Sequence, residues 1–411
     1  MSKTQRVGGI EIPLTTTIGP GPVDQMPELR DVAGLEITGH HHPSFREVRD
    51  KILDYLRILF ECDHEMVRVI DAGGSGAIRT IVANTVLPGT EVVVVNTGFF
   101  GTMICDNITH CGGIAIEVTP NNWGEAVNAE SLATTLEKSS ANIVWIEHGE
   151  TSLGLLSDLP GLVKVARNVR RNCLIFVDGV TTAGGVSFRT GELELDGIAT
   201  AAQKALGADP GLGMITLSPR AMEYINSHRD KITDPYFALH KLDNYWVNGK
   251  FHHTSPVRLY YILLEALYQA LDPKGRVGGL ENLFSHHDIL GRACAAGAEA
   301  AGLRYVVKDP RSRIPYLHCW TVPEGINNTQ VVSELTQRGI EIAGGLPPRA
   351  EGIIRVSTMG PARTIDHIKA LWTAFDDILE TCAGYTAGVA CKEIEIYFNS
   401  ALSNSPNFMM Y

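Results

Sequence analysis

Features that would assign this chain of 411 residues to several specialised classes are missing from it. No apolar run approaches the roughly 20 residues that a membrane helix needs, so we expect no membrane contact. The first residues, Met-Ser-Lys-Thr-Gln-Arg, lack the apolar core of a signal peptide, which predicts a cytoplasmic protein. The net charge is −11 and no basic run stands out, so a nucleic-acid partner is not expected.

Motifs for metal binding or thiol chemistry are missing as well. The eight cysteines are scattered and form no Cys-x-x-Cys pair, which is typical of buried free thiols in a reducing compartment. Neighbouring histidines occur at 40–42, 252–253 and 286–287, without the spacing of ligands on one helix face. We therefore predict no metal site.

The chain does contain a regular alternation of short apolar runs and helical patterns from about residue 66 onward. Strands are predicted at residues 91–96, 114–118, 143–147, 174–178 and 214–217, after an apolar run at 67–70, and helices at 75–87, 103–111, 131–138 and 159–171. Nearly continuous apolar strands separated by helices favour a mostly parallel sheet that is covered on both faces. The sequence therefore predicts an α/β protein with a large wound-sheet domain.

The pattern changes after two long amphipathic helices, predicted at 257–271 and 280–301. A strand at 316–322, a helix at 329–338, a strand at 353–357 and a helix at 364–382 follow, which favours a smaller C-terminal α+β domain. We divide the chain into an irregular N-terminal segment (1–45), the large domain (46–275), the small domain (276–383) and an extension without clear periodicity (384–411).

One lysine and one aspartate indicate a pyridoxal phosphate (PLP) site. Asp178 ends the apolar run 173–177, and Lys204 follows 26 positions later in a loop of small residues. A lysine amine can form a Schiff base with the cofactor aldehyde, and a carboxylate can keep the pyridine nitrogen protonated. In wound α/β sheets, ligands bind at the carboxyl ends of the strands, where Asp178 is expected.

Three other loops carry groups that could hold such a cofactor. Gly73, Gly74 and Ser75 follow a strand and open a helix, so they either cradle a phosphate or form a simple glycine-rich turn. Phe99 and Phe100 either stack on the cofactor ring or belong to the core. In the segment 147–154, Thr151 or Ser152 could bond the ring hydroxyl.

These motifs occur in an order that resembles a known family. Gly-Pro-Gly-Pro, Gly-Gly-Ser-Gly, Asn-Thr-Gly-Phe-Phe-Gly, His-Gly-Glu-Thr-Ser-Leu-Gly, Val-Asp-Gly-Val-Thr-Thr, Gln-Lys-Ala-Leu-Gly, Phe-His-His-Thr-Ser-Pro and Arg-Val-Ser-Thr-Met-Gly follow one another between residues 15 and 382. The set is similar to class V PLP-dependent aminotransferases of the alanine–glyoxylate and serine–pyruvate type. The resemblance implies fold type I, with a seven-stranded sheet in the large domain, and a homodimer with shared active sites.

The resemblance also implies roles for individual residues. Lys204 and Asp178 would be catalytic, Arg355 would bind the substrate carboxylate, and His41 would border the substrate. The implied cofactor contacts are Gly73, Gly74, Ser75, Phe100, Ser152, Asp178, Val180, Gln203, Lys204 and, from the neighbouring subunit, Thr254.

Some positions depart from the family pattern. Phe251 stands where a tyrosine is common, Arg79 stands where an acidic residue is frequent, and the segment 39–45 is rich in histidine. The main hypothesis is therefore amino transfer between a small amino acid and a 2-oxo acid. The alternative is a PLP-dependent lyase or carbon–carbon bond-forming enzyme that acts on an amino-acid substrate such as S-adenosylmethionine.

Overall fold

The computed structural model describes residues 4–380 and 385–404. Its strands are β1 Thr4–Val7, β2 Ile10–Pro13, β3 Thr16–Thr17, β4 Met66–Ile70, β5 Glu91–Val95, β6 Ile114–Val118, β7 Ile143–Glu147, β8 Gly149–Glu150, β9 Leu155–Leu156, β10 Leu174–Asp178, β11 Gly197–Ala201, β12 Gly213–Leu217, β13 Arg304–Tyr305, β14 Leu317–Thr321, β15 Ile340–Glu341, β16 Ala343–Gly344 and β17 Ile353–Ser357.

The helices run through both halves of the chain. They are α1 Pro27–Ala33, α2 Pro43–Leu59, α3 Gly74–Thr85, α4 Phe99–His110, α5 Ala129–Lys138, α6 Leu159–Val169, α7 Pro219–Ser227, α8 Leu239–Trp246, α9 Val257–Leu271, α10 Leu280–Ala300, α11 Asn328–Gln337, α12 Ile365–Leu379 and α13 Val389–Asn404. Within the described residues, none of these helices combines the length and the apolar character needed to span a membrane.

A seven-stranded sheet forms the centre of the large domain, in the order β4-β12-β11-β10-β7-β5-β6. Neighbouring strands are parallel except β12, which is antiparallel to both β11 and β4. The mostly parallel sheet and the fold class are confirmed. The sequence analysis did not predict β11, whose residues are Gly-Ile-Ala-Thr-Ala. A Cβ at Gly197 would lie 2.8 Å from the Thr216 carbonyl oxygen, so close packing explains its weak apolar signal.

Both faces of this sheet are covered, which explains why its strands are continuously apolar. On one face, Val93 and Val95 pack with helices α2, α5, α6 and α9. On the other face, Val92 and Val94 pack with α3, α4, α7 and α8. Polar groups are therefore displaced to the strand ends, where the site lies.

The small domain contains an antiparallel sheet in the order β13-β14-β17-β16, as the predicted α+β character requires. Helix α13 packs against α10, with Ala390, Ile394 and Phe398 buried in the same core as Trp372. The prediction that residues 384–411 lack periodicity is thus wrong for α13, whose buried positions recur every four residues. Residues 405–411, and the predicted end of the preceding helix at Cys382, lie outside the described residues.

The N-terminal segment is more ordered than predicted. Strands β1 and β2 form an exposed hairpin, β3 pairs in parallel with β15 of the small domain, and α2 already begins at Pro43. Proline at a first helical turn is favourable because its missing N–H would have no partner there. The expectation of an irregular segment is wrong, and the domain boundaries themselves stay predictions.

Candidate active site

A cavity of about 180 Å³ opens where β10 ends and α3 begins. Seven residues predicted from the sequence line it, and they come from four separate stretches of the chain. They are Gly74, Ser75, Phe100, Asp178, Val180, Gln203 and Lys204. The sheet topology brings them together because the carboxyl ends of neighbouring parallel strands meet at one edge.

Lys204 lies in the loop after β11, and its Nζ donates a hydrogen bond to the Pro20 carbonyl oxygen at 2.6 Å. Burial and, to a smaller extent, the nearby Arg355 charge lower the pKa of the Lys204 amine to about 8, against the opposing effect of Asp178. A Cβ at Gly21, where φ is +107°, would lie 2.8 Å from Lys204 Cδ. The Gly-Pro-Gly-Pro segment, predicted only as irregular, therefore encloses the lysine.

Asp178 ends β10 and is buried beside the same cavity. Burial, with a smaller contribution from the Glu150 charge, raises the pKa of its carboxyl group to about 6. A hydrogen bond from the Val180 N–H to Asp178 Oδ1 at 2.9 Å and the Lys204 charge lower the pKa. A cationic ring nitrogen placed against this carboxyl group would favour its ionised form.

The N-terminus of α3 forms the anion-binding side of the cavity. Gly73 is the N-cap residue, and a Cβ at Gly74 would lie 2.9 Å from Val180 Cγ2. Glycine at position 74 thus permits close packing of the helix start against Val180. Free N–H groups and the helix dipole favour a phosphate at such a terminus. Nearby, the buried Oε1 of Gln203 has no hydrogen-bond partner among the described residues.

Phe100 lines the cavity, whereas Phe99 packs edge-to-face against it at a centroid distance of 5.2 Å. Of the two candidates for the ring hydroxyl, Thr151 lines the cavity, and Ser152 is buried next to it. The Ser152 N–H donates to Glu150 Oε1 at 2.7 Å. The role of Ser152 as a cofactor contact stays a prediction.

Arg355 projects from β17 of the small domain toward the large domain. Its Nε donates to the Gly344 carbonyl oxygen at 2.7 Å and its Nη1 to the Thr151 carbonyl oxygen at 3.4 Å. The guanidinium is buried and lies near enough to Lys204 to lower the pKa of that amine. These contacts position a bidentate cation close to the lysine.

Gly73, Ser152 and Arg355 adjoin this cavity without lining it, whereas two other predicted residues, His41 and Thr254, lie elsewhere. His41 is exposed and belongs to a separate cavity of about 490 Å³ with His40, His42 and Tyr245. Thr254 is also exposed, near Phe251, whose exposed fraction is 70%. Within one chain, neither residue is part of the Lys204 cavity, so their roles stay predictions.

His148 and Arg79, the arginine that departs from the family pattern, each have a structural partner. His148 Nδ1 lies 3.0 Å from Thr182 Oγ1, and burial lowers the pKa of this imidazole to about 3. Arg79 pairs with Asp234 at 3.6 Å. Among the described residues, no group of three or more His, Cys, Asp or Glu side chains could hold a metal ion.

Sequence reasoning missed several residues of the site. Pro20 and Gly21 contact Lys204, and Met103 and Asn107 line the cavity from α4. Glu150, in the segment that supplied Ser152, was given no role although its carboxylate is fully buried. Burial of a carboxylate beside the candidate site identifies Glu150 in the structure. The sequence alone does not show that this particular glutamate is buried.

Comparison with known proteins gives the class to which this architecture belongs. The family model of class-V aminotransferases matches residues 38–371, and the chain belongs to that family. Its α/β architecture is fold type I, as the resemblance implied.

Among individual relatives, the chain is 29% identical over 378 residues to an alanine–glyoxylate aminotransferase of Callithrix jacchus, covering 91% of this chain and 89% of the relative. It is 28% identical over 410 residues to an (S)-ureidoglycine–glyoxylate transaminase of Bacillus subtilis, covering 94% and 96%. The solved ureidoglycine–glyoxylate aminotransferase of B. subtilis matches with a TM-score of 0.88 at 29% identity, covering 94% of this chain and 98% of that one. These relatives support an aminotransferase over the lyase or bond-forming alternative.

Proposed function

We propose that this aminotransferase uses PLP to move an amino group from a small amino acid to a small 2-oxo acid. One observation carries the proposal: the amine of Lys204 and the carboxyl group of Asp178 share a cavity with the N-terminus of α3. These three elements match the aldehyde, the ring nitrogen and the phosphate of the cofactor.

The residues present fit this cofactor. Lys204 would hold the aldehyde carbon, Asp178 the ring nitrogen, and Gly73, Gly74 and Ser75 the phosphate. Phe100 and Val180 would contact the two ring faces, Ser152 would bond the ring hydroxyl, and the Gln203 amide N–H would donate to the phosphate. When bound, the cofactor supplies an electron sink for the bonding electrons of the substrate α-carbon.

The side chains of the site would then orient the substrate and move its proton. Arg355 would bind the substrate carboxylate with two parallel hydrogen bonds, which sets the α-carbon near Lys204. The lowered pKa of the Lys204 amine leaves roughly a tenth of it neutral at pH 7, far more than for an ordinary lysine, so Nζ can accept the α-proton. Enclosure by Pro20 and Gly21 limits the access of water to this amine.

The substrate class follows from the relatives and the cavity. The names of the relatives specify alanine, (S)-ureidoglycine or L-aspartate as donor and glyoxylate as acceptor. We infer glyoxylate or pyruvate as acceptor and alanine or serine as donor for this chain. The cavity of about 180 Å³ beside the buried Arg355 supports short side chains.

We also propose that the active unit is a cytoplasmic homodimer. The exposed Phe251 and Thr254, and the exposed apolar residues Val7 and Ile10 of the N-terminal hairpin, support a partner chain. Thr254 would reach the phosphate of the partner's site and His41 would border the partner's substrate. The seven described cysteines are free, which fits a reducing compartment such as the cytoplasm.

Absorbance spectroscopy tests the cofactor and the reaction together. Wild-type protein with added PLP should show a visible band that amino acids bleach and that 2-oxo acids restore. Lys204→Ala should lose the band and at least about 10⁴-fold in turnover, because no amine remains to bind the aldehyde or move the proton. Lys164→Ala, on the exposed side of α6, is the matched control and should behave as wild type. Retention of the band in Lys204→Ala would refute the assignment.

A further inference from the structure

Helix α4 begins at the cavity and carries Phe100 in its first turn, yet its N-cap residue is Gly98, which has no side chain to bond the free N–H groups. Glu150, from the segment after β7, supplies the missing acceptor. Its Oε2 accepts the Phe100 N–H at 2.9 Å. A carboxylate at a helix N-terminus is stabilising because it faces the positive end of the helix dipole.

The second oxygen of the same carboxylate holds another part of the site. Glu150 Oε1 accepts the Ser152 N–H at 2.7 Å. One buried side chain therefore bridges Phe100, which lines the cavity, and Ser152, which lies beside it. Each oxygen has its own backbone donor, so the distance between the two segments is set by the width of one carboxylate.

Gly98 is adapted to this arrangement. A Cβ at position 98 would lie 2.5 Å from Glu150 Oε2, far inside van der Waals contact. The backbone there is extended, with φ at −178°, and other residues could adopt that angle. The close approach of Glu150 therefore requires glycine at position 98. Because Gly98 has no side chain, the cap of α4 comes from Glu150, a residue of another segment.

We propose that Glu150 is a positioning residue that sets the spacing between Phe100 and Ser152, and with it the orientation of the cofactor ring. This inference rests on the proposed PLP site, in which Phe100 contacts a ring face and Ser152 the ring hydroxyl. Glu150 also acts on the chemistry at a distance. Its charge raises the pKa of Asp178, which favours a proton between Asp178 and the ring nitrogen.

A neighbouring carboxyl group offers a matched control. Glu147 is buried like Glu150, and its Oε2 accepts from the N–H and the hydroxyl of Thr97 at 3.0 and 2.7 Å. Burial, the adjacent Glu150 charge and a hydrogen bond to Glu150 raise the pKa of Glu147 well above its ordinary value, which favours the protonated acid, and a glutamine amide can donate to Glu150 as that acid does. Glu147→Gln therefore changes neither the charge nor the bridge between Phe100 and Ser152.

The test uses the full-length holoenzyme with PLP as the probe and Glu150→Gln as the variant. An amide has one acceptor oxygen, so it can hold Phe100 or Ser152 but not both. We expect the dissociation constant for PLP to rise about tenfold or more. We also expect reduced ellipticity of the cofactor's visible band, since the ring is less fixed, and a shift of the band's pH midpoint to lower pH, since a negative charge is lost. Glu147→Gln should match wild type in all three measurements.

The outcomes separate this inference from the proposed function. If wild-type protein binds no PLP, both are overturned. If it binds PLP and Glu150→Gln gives the same affinity, ellipticity and pH midpoint, only the positioning role is overturned. Should Glu150→Gln fail to fold, Gly98→Ala provides the second test, because its methyl group displaces Glu150 while keeping the charge. Unchanged affinity and ellipticity in Gly98→Ala would equally refute the role.

Discussion

The Lys204 cavity and the surface formed by His40–His42 and Phe251–Thr254, called here the histidine surface, are two contrasting parts of the molecule. In the cavity, the functional groups are buried and their pKa values are shifted, for Lys204 to about 8 and for Asp178 to about 6. On the histidine surface, His41, Phe251 and Thr254 are exposed. A single chain assembles the first region, whereas the side chains of the second are open to solvent in one chain.

The two regions are nevertheless connected through Asp71, which precedes the turn at the start of α3. Asp71 Oδ1 accepts the hydroxyl of Tyr260, and Oδ2 lies 2.5 Å from His253 Nε2. The same residue therefore anchors the histidine surface beside the turn at the start of α3, to which the proposed function assigns the phosphate. In a dimer, a substitution in one region would alter the sites of both chains. Its effect within a chain therefore has to be separated from its effect across the interface.

The largest loss of turnover is expected for a substitution inside the cavity. Asp178→Asn keeps the volume but removes the charge that would stabilise a protonated ring nitrogen. Turnover should fall roughly 10²- to 10³-fold, as when one stabilising group of an active site is removed. Single-turnover kinetics with saturating PLP measures this directly. The exposed Asp309→Asn serves as control, and a loss of less than fivefold in Asp178→Asn would contradict the role.

Arg355 should give the next largest effect. Arg355→Lys keeps a cation but loses the planar pair of donors that matches a carboxylate. We expect kcat/KM to fall about 10- to 100-fold for amino acids, with PLP affinity nearly unchanged. Arg311, whose side chain is 90% exposed, gives the matched control Arg311→Lys. An equal loss for a donor that lacks the α-carboxylate would show that Arg355 has another function.

The shifted pKa values predict that the rate of PLP attachment and the affinity for PLP each change about tenfold per pH unit below the pKa that controls them. Covalent attachment of PLP needs the neutral amine of Lys204, so its rate should rise with pH up to about 8 and then level off. Affinity for PLP should fall as pH drops through about 6, because Asp178 becomes protonated and its ion pair with the ring nitrogen is lost. Stopped-flow absorbance measures the rate, and a rate that is constant between pH 6 and 8 would contradict the assignment of Lys204.

The smallest expected effect belongs to the histidine surface. Thr254→Ala should weaken PLP binding by about fivefold to tenfold, as expected for one phosphate hydrogen bond. Mixed dimers of Thr254→Ala and Lys204→Ala chains distinguish the two arrangements. If Thr254 serves the partner's site, each mixed dimer keeps one wild-type site and tight PLP binding there. If binding stays weak in mixed dimers, Thr254 acts within its own chain and the shared site is refuted.

The comparison also shows where prediction from sequence is strong. Strands β5, β6, β7 and β10 were predicted to within a residue, because apolar runs, buried in β5, β7 and β10 and partly exposed in the edge strand β6, are bounded by polar turns. Strand β11 was missed because Gly197, Ala199 and Ala201 are small, as dense packing at the sheet centre requires. Helix α13 was missed because only three of its positions are buried at one-turn intervals, amid small and charged residues.

The order of motifs along the chain determined the fold class, the family and the identity of Lys204 and Asp178, since each motif is local and its chemistry depends on residue type. Tertiary structure alone decided how distant segments meet: Pro20 on Lys204, Arg355 on Thr151, and Glu150 on Phe100 and Ser152. These contacts depend on strand order and on burial. A polar side chain acquires its shifted pKa and its backbone partners only when folding removes it from water.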